Sequence, residues 1–126
     1  MKKYSKEIMD HFHHPRNVGT LEDADGIGIV GDPECGDFLK VWIKVKNDHI
    51  DKITFQCQGC PAAIASSSIM TELAKGKHLD EAALITDEVI EQALGGLPEE
   101  KRHCSNLGAT ALYKAVINYI FGGPRS

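Results

Sequence analysis

The chain between residues 26 and 57 alternates apolar and polar residues in the manner of β-strands. In residues 38–46, FLKVWIKVK, aliphatic side chains fill every second position, and lysine or tryptophan lies between them, which predicts a half-buried strand. The segments GIGIVG at 26–31 and IDKITFQC at 50–57 predict one strand before it and one after it. Turn residues at 47–49 join the last two, so we expect an antiparallel meander of three strands.

After residue 60 the apolar residues change to helical spacing. Proline at position 61 suits the first turn of a helix, and the pattern that follows continues to Gly76. Further helical patterns cover residues 87–94 and 105–121, and another covers 4–12 at the N-terminus. The expected fold class is therefore α+β, a three-stranded antiparallel sheet packed against about four to five helices, in a single domain over residues 1–126.

Composition and charge exclude several classes of function. The 126 residues are 42% hydrophobic and 25% charged, which is typical of a globular domain with one core. The net charge of -4 argues against a nucleic-acid partner, because phosphate contacts need a basic surface. No run approaches the roughly 18 apolar residues of a membrane span, and the N-terminus lacks the pattern of a targeting signal. We expect a cytoplasmic protein without a membrane partner, whose four cysteines are ligands or reactive groups rather than disulfides.

Three of the cysteines lie at predicted junctions between elements. Cys60 precedes a proline at a predicted helix N-cap, and Cys104 lies at the start of the last predicted helix, where free N–H groups favour a thiolate. Cys35 lies in a turn before the long strand, GDPECGD, which also contains Asp37, and His103 adjoins Cys104. These three thiols, one carboxylate and one imidazole are suitable ligands for a tetrahedral zinc ion or an iron–sulfur cluster.

The fourth cysteine, Cys57, is predicted to be structural. Strand parity places it with Ile53 and Phe55, as a small buried hydrophobic residue. A thioredoxin-type redox pair has both cysteines at the start of a helix in a parallel unit, whereas Cys57 ends a strand of a meander. A disulfide between Cys57 and Cys60 under oxidation, or a supporting role for Cys57, stays open at this point.

Four motifs resemble those of the IscU/NifU-type iron–sulfur cluster assembly scaffolds. They are HPRNVG at 14–19, GDPECGD at 31–37, GCPAAIASSS at 59–68 and LPEEKRHCS at 97–105, in the family's order and over nearly the whole chain. The resemblance implies the IscU/NifU N-terminal-like fold. It also implies that Cys35, Cys60 and Cys104 are the scaffold cysteines, with Asp37 and His103 as accessory ligands of iron or of the cluster.

The resemblance further implies an assembly scaffold and sulfur acceptor rather than an enzyme. In the family a cysteine desulfurase delivers persulfide sulfur and iron then enters. A cluster, expected to be [2Fe-2S], forms transiently and passes to acceptor apoproteins. An iron donor or frataxin-like protein and a ferredoxin are further implied partners. Cys104 is the candidate persulfide acceptor, because the neighbouring Lys101, Arg102 and His103 would lower the pKa of its thiol. Zinc in the same site, a [4Fe-4S] cluster and a cluster-bridged homo-oligomer stay open.

Three alternatives fit the residues less well. A SufU-like zinc-dependent sulfur relay typically carries an insertion before its last cysteine and lacks the adjacent histidine, whereas His103 is present here and the stretch 76–97 is short. A hydrolytic zinc enzyme would need further polar groups around Asp37 or His103. A structural zinc module would need the metal to fold, whereas a chain of this length with this much apolar periodicity should fold without one.

One motif departs from the family. Bacterial housekeeping members carry a Leu-Pro-Pro-Val-Lys segment that a dedicated Hsp70-type chaperone recognises, and this chain has LPEEK at 97–101. The second proline is missing and two acids replace an apolar contact, which weakens the extended polyproline shape. We therefore do not expect that chaperone as a partner.

Overall fold

The computed structural model describes residues 4–31 and 37–124. Within them it contains five α-helices, one 3₁₀ turn and three β-strands. In chain order these are α1 (Lys6–His13), β1 (Gly26–Gly31), β2 (Phe38–Lys46), β3 (His49–Gln58), α2 (Pro61–Ala74), α3 (Leu79–Ala83), α4 (Asp87–Ala93), the 3₁₀ turn (Glu99–Lys101) and α5 (His103–Ile120). The predicted α+β class with a three-stranded sheet is confirmed. None of the helices in the described part of the chain is long and apolar enough to cross a bilayer.

The strands form an antiparallel sheet in the order β1-β2-β3. The β2–β3 turn contains Asn47 and Asp48, both at positive φ (53° and 61°), which matches the right-handed twist of the flanking strands. Along β2–β3 the register places Val41 opposite Phe55 and Leu39 opposite Cys57. The end of β3 that leads into α2 therefore lies beside the start of β2.

The helices cover one face of the sheet. Helix α5 packs on β1 and β2, and α2 packs on β3 and on α5. Of the four apolar side chains of β2 predicted to share a face, Leu39, Val41 and Ile43 are fully inaccessible and Val45 is partly buried. Trp42, on the opposite side of the strand, is also buried, so that side is less polar than the alternation predicts.

Two glycines in β1 allow α5 to cross the strand in close contact. A Cβ atom on Gly28 would overlap the carbonyl oxygen of Ala111, and one on Gly26 would overlap that of Ala115. Between them, the backbone N–H of Ile27 donates to Asn118 Oδ1 at 2.9 Å. The alternation of glycine with isoleucine in GIGIVG is therefore a packing requirement of α5.

Gly28→Ala is expected to lower the free energy of unfolding by about 1–3 kcal/mol, the usual cost of overpacking a tight interface. Helix α5 or strand β1 has to move to make room, because the obstructing atoms are backbone. Urea unfolding followed by circular dichroism measures the change. Ile29→Ala, on the opposite side of the same strand and 37% exposed, is the matched control and should cost less. Equal effects of the two substitutions would contradict the role given to Gly28.

Helix α3 was not predicted, and α5 begins earlier than predicted. Five residues are too few to establish a helical period, so α3 depends instead on its cap. The His78 side chain accepts from the N–H of Asp80, and Glu81 accepts from the N–H of His78. Helix α5 starts at His103 rather than at residue 105, which places His103 and Cys104 in its first turn.

Candidate metal and sulfur site

Two of the predicted site cysteines meet where α2 and α5 begin. Cys60 is the N-cap of α2, as predicted, and Cys104 is the second residue of α5. Their Sγ atoms lie 3.7 Å apart. Two thiolates bound to one tetrahedral ion at about 2.3 Å are separated by about the same distance. The fold therefore places this pair at a spacing that suits one soft metal ion.

The two accessory residues lie close to this pair. His103 Nε2 is 3.7 Å from Cys104 Sγ, and the His103 side chain is exposed. Asp37 is exposed as well, and its Oδ2 lies 3.9 Å from the position that a Cβ on Gly59 would occupy, directly before Cys60. Both polar side chains are thus at the solvent side of the thiol pair.

Cys35 lies outside the described residues, together with the rest of its turn at 32–36, so its part in the site stays a prediction. Within 4–31 and 37–124, no group of three or more His, Cys, Asp or Glu side chains is arranged to hold a metal ion. Among the described residues of the predicted set, Cys60 and Cys104 lie at ligand spacing, and His103 Nε2 lies at the same distance from Cys104 Sγ.

The pKa of Cys104 contradicts the expectation from its charged neighbours. Burial, the largest cause, and the neighbouring Cys60 together raise the pKa of this thiol to about 12, while Lys101 acts in the lowering direction with a smaller effect. Arg102 pairs with Glu91, with Nε and Oε1 3.1 Å apart. The prediction of a low thiol pKa is therefore wrong for the metal-free protein, because Cys104 is only 1% exposed and loss of hydration outweighs nearby positive charge.

Apolar residues that the sequence did not assign to the site surround Cys104. Ala62 and Ala63, from the first turn of α2, form a buried cluster with it. Tyr4, before α1, and Leu97, before the 3₁₀ turn, pack against the same cluster. Tyr4 and the two alanines are about 40 or more residues from Cys104 along the chain, so no local pattern would have found them, whereas Leu97 begins the motif that contains Cys104.

Cys57 belongs to this neighbourhood too. It is half-buried and packs against the cluster of Ala62, Ala63 and Cys104, as Cys60 does. Burial raises the pKa of its thiol, while a hydrogen bond with the Ser67 hydroxyl acts in the opposite direction. Parity predicted the correct face for Cys57, but the residue is half-buried rather than buried as predicted.

Comparison with known families and proteins agrees with the motifs. Residues 3–121 match the family described as NifU-like N terminal domain. Iron-sulfur cluster assembly scaffold protein IscU 1 of Archaeoglobus fulgidus is 56% identical over 116 residues, covering 92% of this chain and 76% of that protein. The IscU scaffold protein of Escherichia coli K12 is 45% identical over 120 residues, covering 92% of this chain and 93% of its own length.

Solved structures share the fold at lower identity. A putative iron-sulfur cluster assembly scaffold protein for the SUF system from Fervidobacterium islandicum AW-1 has a TM-score of 0.71 at 24% identity, over 90% of this chain and 96% of that one. An N-terminal NifU-like protein from Brucella abortus has a TM-score of 0.70 at 21% identity, over 92% and 93%. These two likenesses concern the fold alone. Because the family match spans nearly the whole chain and the sequence relatives align over most of theirs, this chain belongs to the NifU-like N-terminal domain family, as an IscU/NifU-type member.

Proposed function

We propose that this protein is a scaffold on which an iron–sulfur cluster, of the [2Fe-2S] type, is assembled and then passed to apoproteins. The observation that carries the proposal is the approach of Cys60 and Cys104 to 3.7 Å at the first turns of two helices. The names of the sequence relatives, which are iron-sulfur cluster assembly scaffold proteins, support it. The cluster is the cargo of this protein rather than a resident cofactor.

The helix ends suit the charge of this cargo. Thiolates are the usual terminal ligands of iron–sulfur clusters, and each adds negative charge to the site. Cys60 makes no capping hydrogen bond through its side chain, so N–H groups in the first turn of α2 are free to face a bound anion. The first turn of α5 presents a second positive helix end beside it. Cys35 supplies a further thiolate in this proposal, and Asp37 or His103 completes the set.

Sulfur arrives in this proposal as persulfide on a cysteine desulfurase. The Cys104 thiol loses its proton to solvent and its thiolate attacks the outer sulfur of that persulfide. A new S–S bond forms on Cys104, and the S–S bond of the donor breaks with release of its cysteine thiolate. No net electron transfer occurs in this step. Two electrons from a ferredoxin or from ferrous iron then reduce the sulfane sulfur to sulfide. Because Cys104 is 1% exposed, Tyr4 or Leu97 has to move before a partner can reach it.

Release of the cluster is assigned to Asp37. A carboxylate oxygen is a harder donor than a thiolate and binds iron in a cluster less firmly. Asp37 is also exposed, so an acceptor protein can displace it without rearranging the core. A scaffold must give up what it assembles, and one weak ligand at the solvent side meets that need.

Asp37→Ala is expected to lower the rate of cluster transfer to an apo-ferredoxin on the order of 10-fold, the scale of changes beside metal ligands. The reason is that the cluster loses its most readily displaced donor. Asp51→Ala is the control, because Asp51 is exposed near the opposite end of β3. Transfer is followed by the visible spectrum of the ferredoxin under anaerobic conditions. An Asp37→Ala transfer rate equal to that of the wild type would contradict this role.

Anaerobic reconstitution tests the scaffold function directly. The protein is incubated with a cysteine desulfurase, cysteine and ferrous iron, and iron and acid-labile sulfide are counted per chain before transfer is followed. Equal amounts of iron and labile sulfide, with rapid transfer, are the expected result. Firmly held zinc, persulfide on Cys104 and no labile sulfide would overturn the proposal.

A SufU-like zinc-dependent sulfur relay is the second candidate. The Cys60–Cys104 separation of 3.7 Å also suits a tetrahedral zinc ion, and zinc binds the same kinds of ligand. The reconstitution experiment separates the two candidates, because a relay carries persulfide without building labile sulfide. His103 next to Cys104 favours the scaffold.

The remaining partners and the compartment follow from the same proposal. The cytoplasm keeps the thiols reduced, as cluster assembly requires. An iron donor of the frataxin-like class supplies iron. In the LPEEK segment Glu99–Lys101 forms a 3₁₀ turn, unlike the extended shape of a polyproline motif, which supports the view that a dedicated Hsp70-type chaperone is not a partner.

A further inference from the structure

We propose that Cys57 is a further ligand of the assembled cluster and holds it through a fourth thiolate. This inference rests on the proposed scaffold function and deepens it, because it concerns the same site. It assigns to Cys57 a role beyond that of the buried residue that strand parity predicted.

The position of Cys57 is the first argument. It is the last but one residue of β3, lies opposite Leu39 of β2, and shares the helix-covered face of the sheet with Phe55. On that face it packs against the cluster formed by Ala62, Ala63 and Cys104. Cys60 packs against the same cluster. Three thiols from the end of β3, the N-cap of α2 and the first turn of α5 thus lie around two alanine side chains.

The exposure of Cys57 is the second argument. Its neighbours in the sheet are closed off from solvent, with Leu39 0% and Phe55 1% exposed. Cys57 is half-buried, as Cys60 is. Its thiol also contacts the Ser67 hydroxyl rather than an all-apolar environment. A residue that only filled the core would not need a thiol at this boundary between the core and the site.

The chemistry of a cluster is the third argument. A cluster contains more than one iron, so its terminal ligands need not converge on a single ion, and Cys57 can bind one iron while Cys60 and Cys104 bind another. On binding, the Cys57 thiol loses a proton to solvent and forms an Fe–S bond, with no change in oxidation state. Cys57 then competes with Asp37 for the same cluster. The thiolate favours retention, and the carboxylate favours release.

Reconstitution of Cys57→Ser and Cys57→Ala tests the assignment. In Cys57→Ser an oxygen ligand replaces sulfur, and we expect a change in the visible and resonance Raman spectra of the cluster. In Cys57→Ala we expect a chelator to remove the cluster on the order of 10-fold faster, with the amount assembled measured separately as labile sulfide. Gln56→Ala is the matched control, because Gln56 adjoins Cys57 in β3 but is exposed on the other side of the strand, and its spectra should equal those of the wild type.

Cys57→Val keeps an apolar side chain of similar size and separates ligation from packing. We expect it to fold as the wild type does and to lose its cluster as Cys57→Ala does. Wild-type spectra and chelation rates in the Cys57→Ser, Cys57→Ala and Cys57→Val variants would overturn the assignment of Cys57 and leave the scaffold function intact. Absence of labile sulfide from the wild-type protein would instead overturn the scaffold function.

Discussion

Alkylation of the metal-free, folded protein is expected to modify Cys60 long before Cys104. Thiolates are the species that react with alkylating agents. A pKa of about 12, compared with 9.0 for an ordinary thiol, leaves Cys104 with a thiolate fraction smaller on the order of 1,000-fold near neutral pH. Burial adds a steric barrier, because Cys104 is 1% exposed and Cys60 is half-buried.

The measurement is a time course with iodoacetamide, followed by digestion and mass spectrometry of the two cysteine peptides. Unfolding in guanidinium chloride is the control, because the two thiols should then react at similar rates. Faster modification of Cys104 than of Cys60 in the folded protein would contradict the burial argument. Under the proposed function, the expected order would mean that the contact of Tyr4 or Leu97 has to open before a sulfur donor can reach Cys104.

The order of reactivity also explains which parts of the site the sequence could predict. The Pro61 signal placed Cys60 at an N-cap correctly, because capping depends on residues adjacent in the chain. The pKa of Cys104 depends on burial beneath Ala62 and Ala63, which are about 40 residues away in sequence. Lys101 and Arg102 were visible in the sequence and that burial was not, so the direction of the shift was predicted wrongly.

In the fold too, features that repeat over neighbouring residues were predicted and features that depend on tertiary contacts were not. The three strands were predicted because a period of two repeats over at least four residues in each, which needs no information from the rest of the chain. Helix α3 has too few residues for a period, and its cap histidine, His78, is an uncommon N-cap residue. For Cys57, parity depends only on β3 and predicted the correct face. The contact of that face with the start of α5 is tertiary, so parity could not decide whether Cys57 has a role in the site.

Cys60→Ser and Cys104→Ser are each expected to lower the Zn²⁺ affinity of the protein by more than about 100-fold. Changing residues that only support a metal ligand costs about 10–100-fold, and the loss of a thiolate ligand should exceed that. The physical reason is the 3.7 Å separation of the two sulfur atoms, which allows both to bind one ion. Zinc serves here as a probe that needs neither a desulfurase nor a reductant.

The double variant Cys60→Ser/Cys104→Ser decides whether the two thiols act on one ion. If they do, the second substitution removes a ligand from a site that is already broken, and the combined loss in binding free energy is smaller than the sum of the single losses. Competition with a chromophoric chelator, without oxygen, measures the affinities, and circular dichroism verifies that each variant is folded. His49→Ala is the control, because His49 begins β3 and Cys60 follows its far end. Strictly additive losses would mean that Cys60 and Cys104 bind separate ions, and the pair would then not be the centre of the scaffold site.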